Sequence, residues 1–288
     1  MTTRSEAGLK AATLIEALPY IRSYRGSTVV VKVGGAALDD PTIAGLVAED
    51  LALMRLVGID LVVVHGGGPQ VSEAMAQAGI EPRFVGGLRV TDDAALEIVQ
   101  RVLIGSINAT LVARLNAAGL SAVGLSGIDG GLARAVPARG PQGEELGRVG
   151  AIERIDPALL RSLLGDGHTP VIATIAPGPD GAPLNVNADI MAGAVAGALG
   201  AAKLVFLTNV EGLYRDLGDE GTLVSELKLG ELIALVPGLS SGMRPKAEAA
   251  VAALQAGVGK VHILDGRIEH AVLLEIFTDE GIGTQVLP

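Results

Sequence analysis

Lysines and glycines that follow apolar strands are the residues of this chain best suited to chemistry, and that chemistry is phosphate binding. Lys32 lies near the end of the β-branched run Thr28–Val33, and Gly34 and Gly35 follow it directly. A second apolar run ends before His65, and glycines 66–68 come next. An ammonium group beside backbone N–H groups that no side chain covers can hold phosphate oxygens. Lys32 is equally compatible with a strand-end lysine that reaches solvent, and glycine turns after strands are common structural features.

The elements that position these residues follow the rhythm of a parallel α/β sheet. A buried strand, a glycine loop and a helix occur twice between residues 28 and 78. Hydrophobic residues make up 49% of the 288 residues and aromatic residues only 2%. The core must therefore be built from Val, Leu, Ile and Ala, as in parallel sheets that helices cover on both faces. We predict the α/β class.

Composition also limits the kinds of partner, metal site and cellular location that we expect. A net charge of −10 argues against nucleic acid, because phosphate contacts require a basic face. The chain has no cysteine, and its four histidines lack zinc-like spacing, so we predict neither disulfides nor a protein-bound metal. It has no apolar signal segment and no stretch of eighteen apolar residues, so we expect no membrane span and a cytoplasmic protein.

Three further motifs carry polar residues beside predicted elements. Arg89 lies in the hairpin pattern of residues 83–91, where a solvated arginine is the ordinary interpretation. Asp189 comes just before a helix predicted from Ile190, where it would be an N-cap, although Asn187 is also available as a cap. Lys246 lies in the first turn of a later helix, where the helix dipole favours an anion instead. That conflict favours a bound anion between Lys246 and the helix end.

Together, in chain order, these motifs resemble those of the amino acid kinase family. The motifs are Lys32-Val-Gly-Gly35, His65-Gly-Gly-Gly-Pro69, Gly87-Leu-Arg-Val-Thr-Asp92, Asn185-Val-Asn-Ala-Asp189 and Gly242-Met-Arg-Pro-Lys246. The resemblance extends from about residue 17 to 286, and its third and fourth motifs are similar to the branch that phosphorylates N-acetylglutamate. It implies a three-layer αβα sandwich with a mainly parallel central sheet and an additional N-terminal helix.

The reaction that the resemblance implies is phosphoryl transfer from ATP to the side-chain carboxylate of N-acetyl-L-glutamate, in arginine biosynthesis. A carboxylate with a pKa near ~4.3 is already ionised at neutral pH, so no general base is needed. Mg²⁺ would be held mainly by the nucleotide. Two alternatives stay open at this point: a kinase for an acylated aminoadipate, and a non-catalytic amino-acid sensor on the same fold.

The resemblance also implies roles for individual residues. Lys32 and Lys246 would flank the transferring phosphoryl group, with Asp189 holding both lysines. Gly34 and Gly35 would bind phosphates. The substrate would be held by four residues: Gly67, Gly68, Arg89 and Asn185. The nucleotide would lie along the segment from Lys203 to Tyr214.

The N-terminal helix and the C-terminal segment resemble those of arginine-inhibited, hexameric family members. Apolar spacing predicts a helix over residues 7–24, which Pro19 should end or kink. On residue types alone, 269–277 is an ordinary amphipathic helix. The resemblance instead implies arginine as an inhibitor and a homo-oligomer that is a trimer of dimers, with effector residues Tyr20, His270, Glu275 and Gly281.

We predict three regions: 1–26 for oligomerisation and regulation, 27–180 for the acylamino acid and 181–288 for the nucleotide. Three positions differ from many members of the family. Ile128 replaces a charged residue, Ala36 replaces an asparagine, and Asn209 replaces an aspartate. The last change could weaken a nucleotide or magnesium contact.

Overall fold

The computed structural model describes residues 4–215, 220–240, 242–278 and 281–288. Residues 1–3, 216–219, 241 and 279–280, which belong to the predicted regions 1–26 and 181–288, lie outside the described residues. The helices, in chain order, are α1 Arg4–Tyr24, α2 Ala36–Asp39, α3 Pro41–Leu56, α4 Gly68–Gln77, α5 Asp93–Gln100, α6 Ala109–Ala117, α7 Ala158–Gly165, α8 Ala188–Leu199, α9 Leu229–Leu235, α10 Arg244–Gln255 and α11 Ala271–Phe277. A π-helical segment, Arg101–Asn108, joins α5 to α6.

The strands are β1 Thr28–Val33, β2 Asp60–His65, β3 Phe84–Val85, β4 Leu88–Arg89, β5 Ala122–Ser126, β6 Ala133–Arg139, β7 Glu145–Ile155, β8 Thr169–Ala173, β9 Ile175–Pro177, β10 Pro183–Val186, β11 Lys203–Thr208, β12 Leu213–Tyr214, β13 Leu223–Val224, β14 Glu226–Lys228, β15 Lys260–Asp265 and β16 Thr284–Leu287. Eight of them form a central sheet in the order β14-β16-β15-β11-β1-β2-β8-β5. Its strands are parallel except that β16, with β14 beside it, runs antiparallel to β15. The predicted mainly parallel sheet is therefore confirmed.

Helices cover both faces of this sheet. In β1, Val29, Val31 and Val33 face one apolar layer that includes α3, α6 and α11. Val30 faces the other layer, which includes α8 and α10. All of β1 except its first residue is buried, so apart from Lys32 the buried residues of the strand are consecutive valines and not an alternating pattern. This is the predicted three-layer arrangement.

A smaller sheet with the order β6-β7-β10-β9 and the hairpin β3–β4 lie beside the carboxyl ends of the central strands. The hairpin turns at Gly86 and Gly87, which have φ of 56° and 81°. Positive φ at both central turn positions is the pattern of tight hairpins and is open to glycine without a steric cost. The predicted hairpin is confirmed, and it brings Arg89 back toward the main sheet.

Two helix boundaries bear on the sequence predictions. The helix α1 continues through Pro19 to Tyr24, where the predicted helix ends, so Pro19 does not terminate it. The predicted kink at Pro19 stays a prediction. Pro19 is exposed, so the backbone acceptor that loses its N–H partner there can be solvated by water. The helix expected from Ile190 begins at Ala188, with Asn187 as its N-cap.

The continuous helical run from Asp93 to Ala117 is long and apolar enough to cross a membrane by length and composition. Core helices of soluble proteins pass the same test. Leu103, Ile107 and Leu111 of this run are buried against the sheet and the neighbouring helices, so it has the packing of a core helix.

Candidate active site

The site forms where β1 and β2 end side by side. The two strands are parallel neighbours, with Lys32 paired to Val64 and Val33 to His65, so both glycine loops leave the sheet at the same edge. A cavity of about 270 Å³ opens there, which we call the Arg89 cavity. Its lining includes most of the site residues expected from the sequence: Lys32, Gly34, Gly35, Gly67, Gly68, Arg89, Asn185 and Asp189.

One carboxylate holds two lysines at this edge. Lys32 Nζ lies 3.0 Å from Asp189 Oδ1, and Lys246 Nζ lies 3.2 Å from Asp189 Oδ2. The Asp189 side chain is only 6% exposed. Burial by itself would raise the pKa of Asp189, but the two ammonium groups together bring that pKa below its ordinary value. Asp189 is therefore ionised at neutral pH and fixes both cations at one point.

Asn187 is the reason that Asp189 is free to do this. The side chain of Asn187 accepts hydrogen bonds from the N–H groups of Asp189 and Ile190, at 2.8 and 3.2 Å. It thereby satisfies the orphan donors at the start of α8. The interpretation of Asp189 as the N-cap is wrong, and its carboxylate points at the lysines instead.

Lys246 reaches the same point from α10. It lies in the first turn of that helix, and its Nζ is also 3.5 Å from the carbonyl oxygen of Gly242. A cation in this turn is unfavourable with the helix dipole unless an anion is nearby. Asp189 supplies that anion, which resolves the conflict noted in the sequence.

The glycine loops expose backbone because side chains would not fit. Gly35 has φ of 57°, and a Cβ there would overlap the side chain of Asn209. A Cβ on Gly67 would overlap Ile107 and Leu103. At Gly34 it would come within 2.9 Å of Lys32 Nζ. A side chain at any of these positions would displace a neighbouring side chain, whereas glycine leaves the backbone open to phosphate oxygens.

Arg89 is a buried cation to which the described residues give no acidic partner. Its Nη2 donates to the carbonyl oxygen of Gly68 at 2.8 Å and to Ser72 Oγ at 2.7 Å, and its guanidinium lies 4.6 Å from the ring centre of Phe84. Among the described residues, no carboxylate lies within 4 Å of it. Burial lowers the pKa of Arg89 from its ordinary value. A buried cation of this kind favours an anionic ligand.

Asn185 completes the polar lining. Its Nδ2 donates to Thr91 Oγ1 at 3.2 Å, and that hydroxyl donates to the carbonyl oxygen of Arg89 at 2.9 Å. Thr91 is fully buried. These two hydrogen bonds of Thr91 connect strand β10 to the β3–β4 hairpin, so they set the distance between Asn185 and Arg89.

A second cavity of about 280 Å³ lies at the other end of the strands, where β11 and β15 begin. We call it the Glu275 cavity. Tyr20 of α1, Glu275 and Gly281 line it, as do Lys203 and Lys260. Sequence reasoning placed Lys203 along the nucleotide instead. The overlooked signal was a lysine that opens an otherwise buried strand, since it marks a polar site at the amino end of the sheet.

Glu275 is fixed from two sides. Its Oε1 lies 2.6 Å from His262 Nδ1, and its Oε2 accepts from the N–H of Ile282 at 2.8 Å. Burial by itself would raise the pKa of Glu275, but these hydrogen bonds and the charge of Lys203 lower it. His262, which the sequence gave no reason to single out, is the histidine next to the expected effector residues.

His270 lies elsewhere. Its Nδ1 is 2.6 Å from Asp50 Oδ1, a fully buried carboxylate on α3. His270 is also the N-cap of α11, in a left-handed conformation with φ of 55°. The structure therefore does not place His270 in the lining of the Glu275 cavity, unlike the other three effector candidates.

The three departures from the family have different surroundings. Ile128 is 42% exposed, in a turn where Asp129 accepts from the N–H and hydroxyl of Ser126. Asn209 packs against Gly35. Ala36 begins α2, and its side chain lies outside what the structure describes. In the described part of the chain, no cluster of three His, Asp or Glu residues could hold a metal ion.

Comparisons with known proteins agree with this geometry. The sequence profile of the amino acid kinase family matches residues 27–265. An acetylglutamate kinase from Pelotomaculum thermopropionicum is 48% identical over 287 aligned residues, which cover 96% of this chain and 97% of that protein.

Solved structures are also similar. An N-acetylglutamate synthase from Neisseria gonorrhoeae, complexed with coenzyme A and N-acetyl-glutamate, matches 96% of this chain with a TM-score of 0.86 and 33% identity. The same synthase with coenzyme A and L-arginine matches with a TM-score of 0.82 and 32% identity. This chain spans 63% and 65% of those synthase chains. The chain belongs to the amino acid kinase family and, within it, to the acetylglutamate kinases.

Proposed function

We propose that this enzyme transfers the γ-phosphoryl group of ATP to the side-chain carboxylate of N-acetyl-L-glutamate and forms an acyl phosphate. The observation that carries the proposal is the pair of lysines on Asp189 at the mouth of the two glycine loops. Near-full-length identity to acetylglutamate kinases supports the choice of substrate.

The geometry suits a reaction between two anions. Bringing a carboxylate to 4 Å from a phosphate charge costs about 4 kcal/mol per charge pair at an effective dielectric of ~20. Lys32 and Lys246 offset this repulsion, and they are already in place before the reaction because Asp189 holds them. Charge then develops on phosphoryl oxygens that lie between fixed cations and bare N–H groups. The attacking carboxylate is ionised without a general base.

The acylamino acid is held by groups of the Arg89 cavity. Arg89 binds its α-carboxylate, since a guanidinium can form two parallel hydrogen bonds with a carboxylate. Asn185 and the N–H groups of Gly67 and Gly68 bind the remaining polar atoms. The side-chain carboxylate of the substrate is then directed toward Lys32, which lines the same cavity.

The nucleotide approaches from the other side of the lysines, with Gly34 and Gly35 beneath its phosphates. Both oxygens of Asp189 face lysines, so this carboxylate is already occupied, and Mg²⁺ is held mainly by the phosphates of the nucleotide. Bound in this way, Mg²⁺ neutralises charge on the β- and γ-phosphates. Thr208 and Asn209, at the end of β11, form part of the nucleotide wall.

A hydroxamate assay tests the proposal directly, because hydroxylamine traps an acyl phosphate. We expect an ATP-dependent product with N-acetylglutamate and a weaker one with N-acetylaminoadipate. One methylene changes binding by only ~1–3 kcal/mol, so both substrates must be compared by kcat/KM. Preference for the longer acid would favour the aminoadipate kinase, and no product with either would favour the sensor.

We further propose that arginine binds in the Glu275 cavity and inhibits the enzyme. The cavity offers carboxylates for a guanidinium and lysines for an α-carboxylate, and Tyr20 brings α1 to its edge. The similar synthase structure that contains L-arginine supports an arginine site on this fold.

A hexamer built through α1 stays a prediction, as does the cytoplasmic location. Leu14 and Ile15 of that helix are 69% and 66% exposed, as an interface helix of a single chain would be. Deleting residues 1–24 should abolish both the hexamer, measured by sedimentation, and arginine sensitivity. Retention of both properties would contradict this proposal.

A further inference from the structure

His65 is a buried histidine directly before the second glycine loop, and the roles assigned above leave it without one. It is fully buried at the end of β2. Its Nδ1 lies 2.9 Å from the carbonyl oxygen of Gly66, and its Nε2 lies 3.0 Å from Nδ2 of Asn108. The next residue after Gly66 is Gly67, whose N–H belongs to the proposed substrate site. His65 thus touches the peptide that ends in that N–H.

Asn108 determines which nitrogen of His65 carries the proton. Its Nδ2 also donates to the carbonyl oxygen of Val171 at 2.9 Å. A flipped amide would place its oxygen against that carbonyl, so Nδ2 must face both Val171 and His65. Nε2 of His65 then accepts a hydrogen bond, and the proton lies on Nδ1, which donates to Gly66. The two neighbours select the same tautomer.

Protonation of the ring is opposed by the same surroundings. An imidazolium would direct an Nε2–H at the N–H of Asn108. Burial lowers the pKa of His65 to about 4, although the hydrogen bond to Gly66 acts in the opposite direction. The ring is therefore neutral, with one donor and one acceptor, throughout the neutral range.

The hydrogen bond to Gly66 fixes a rigid peptide plane. In a trans peptide the carbonyl and the following N–H point in opposite directions. Because the Gly66 carbonyl points inward at His65, the Gly67 N–H points away from it, toward the Arg89 cavity that Gly66, Gly67 and Gly68 line. Gly66 is anchored at its other end, where its N–H donates to Val33 at 3.0 Å. In the described part of the chain the Gly67 N–H has no acceptor.

The π-helical segment supplies the rest of the support. Asn108 is its last residue, and Leu103 and Ile107 pack where a side chain on Gly67 would lie. π-helical turns are rare and occur frequently at functional sites. Here one short segment both covers the outer face of the loop and orients the histidine beneath it.

We propose that His65, held as its Nδ1–H tautomer by Asn108, is a positioning residue that directs the Gly67 N–H at the acylamino acid. This inference rests on the proposed function, because it assigns the Gly67 N–H to that substrate. A purely space-filling histidine is the alternative. The two roles differ in which replacement side chain preserves activity.

Two variants separate the roles. His65→Asn keeps a donor at the position of Nδ1 but leaves space where the rest of the ring was. His65→Gln fills more of the space but places its amide at the position of Nε2. We expect kcat to fall about 10- to 100-fold in His65→Gln, at most the lower limit of the range for a lost oxyanion donor because the Gly67 N–H is misdirected and not removed, and to be restored to within about fivefold in His65→Asn. The KM for ATP should be similar in both. Higher activity in His65→Gln, or equal loss in both, would overturn the proposal.

The tautomer is measured on the unaltered protein. In ¹⁵N-histidine-labelled enzyme at neutral pH, His65 should show a protonated Nδ1 and an unprotonated Nε2; comparison with His65→Asn, or with Asn108→Leu if that variant does not fold, assigns its signals among the four histidines. A protonated Nε2 overturns the proposal even if neither variant folds. If the wild-type chain does not phosphorylate N-acetylglutamate, the proposed function fails, whereas the tautomer measurement is unaffected.

Discussion

The Arg89 cavity and the Glu275 cavity are nearly equal in volume, but they lie at opposite ends of the strands of one sheet. The first lies at the carboxyl ends of β1 and β2, where glycine loops leave the strands. The second lies at the amino ends of β11 and β15, whose first residues are Lys203 and Lys260. Strand β11 begins at the second cavity and ends beside Asn209, which packs on Gly35 near the first. A single six-residue strand therefore runs from the Glu275 cavity to the loop that packs beside the Arg89 cavity.

The charges of the two cavities differ more than their sizes. In the Arg89 cavity the carboxylate of Asp189 is already shared by two lysines, and Arg89 has no acidic partner among the described residues. That cavity is suited to ligands with several negative charges. In the Glu275 cavity lysines and carboxylates both line the wall. A mixed lining is suited to a ligand with both charges, such as an amino acid.

The largest effect is expected from the lysines on Asp189. Lys32→Ala and Lys246→Ala should each lower kcat about 10²- to 10³-fold, because their contacts strengthen as charge develops in the transition state. The KM values should change much less. Steady-state kinetics with both substrates measures the effect, and Lys228→Ala, at an exposed lysine, is the control. An unchanged kcat in Lys246→Ala would show that the two lysines do not act together.

Arg89→Ala should mainly weaken binding of the acylamino acid. A hydrogen bond to a charged group contributes about 1.5–3 kcal/mol, so the KM for N-acetylglutamate should rise about 10- to 100-fold with little change in kcat. The exposed arginine of the same hairpin segment, Arg83, provides the matched control Arg83→Ala. A large fall in kcat at unchanged KM would place Arg89 at the phosphoryl group instead of the α-carboxylate.

In the Glu275 cavity the expected effect is on inhibition alone. Glu275→Gln should raise the arginine concentration for half-inhibition about tenfold, the equivalent of about 1.4 kcal/mol, and leave kcat unchanged. The exposed neighbour Glu269 supplies the control Glu269→Gln. His270→Asn is a second comparison, because the sequence places His270 at the effector and the structure places it on Asp50. Equal loss of inhibition in Glu275→Gln and Glu269→Gln would contradict arginine binding here.

The sequence predicted the sheet and the positions of its glycine loops because those signals are local. Apolar runs such as Thr28–Val33, each followed by glycine, define a strand end without information from the rest of the chain. The roles of Lys32 and Lys246 could not be settled locally, since each has an ordinary surface interpretation. Those roles came from family resemblance, which also gave Asp189 as the shared partner, and the structure adds the contact distances of 3.0 and 3.2 Å.

Where prediction failed, two local solutions had similar energies. Asn187 and Asp189 are both good N-caps, and the choice depends on Lys32 and Lys246, which are distant in sequence. The π-helical segment at Arg101–Asn108 has no comparable sequence signal, because its hydrophobic pattern fits an α-helix. His65 was noted only as part of a motif for the same reason: its role depends on Asn108, which that segment positions.

The smallest expected effect concerns Lys203, whose pKa burial lowers to about 8, with the charge of Lys260 acting in the same direction. Between about pH 8 and the ordinary value of 10.5, the unfolded chain binds a proton at this lysine and the folded protein does not. The free energy of unfolding should therefore rise with pH in that window. Tyr24, whose pKa burial raises above 10.0, acts in the opposite direction only above its ordinary value.

Urea unfolding of the wild type and of Lys203→Gln between about pH 8 and pH 9.5 isolates the contribution of Lys203 to the free energy of unfolding. The pKa shift of Lys203 sets the upper limit of that contribution. The wild type should gain stability relative to Lys203→Gln as pH rises, whereas parallel curves would mean that Lys203 keeps its ordinary pKa. The result also tests the contrast between the two cavities. The Glu275 carboxylate offsets only part of the effect of burial on Lys203, but a pKa of about 8 still leaves this lysine charged at neutral pH, so the Glu275 cavity has a cationic position for the carboxylate of its ligand. In the Arg89 cavity, by contrast, Lys32 already has a carboxylate partner in Asp189, 3.0 Å away.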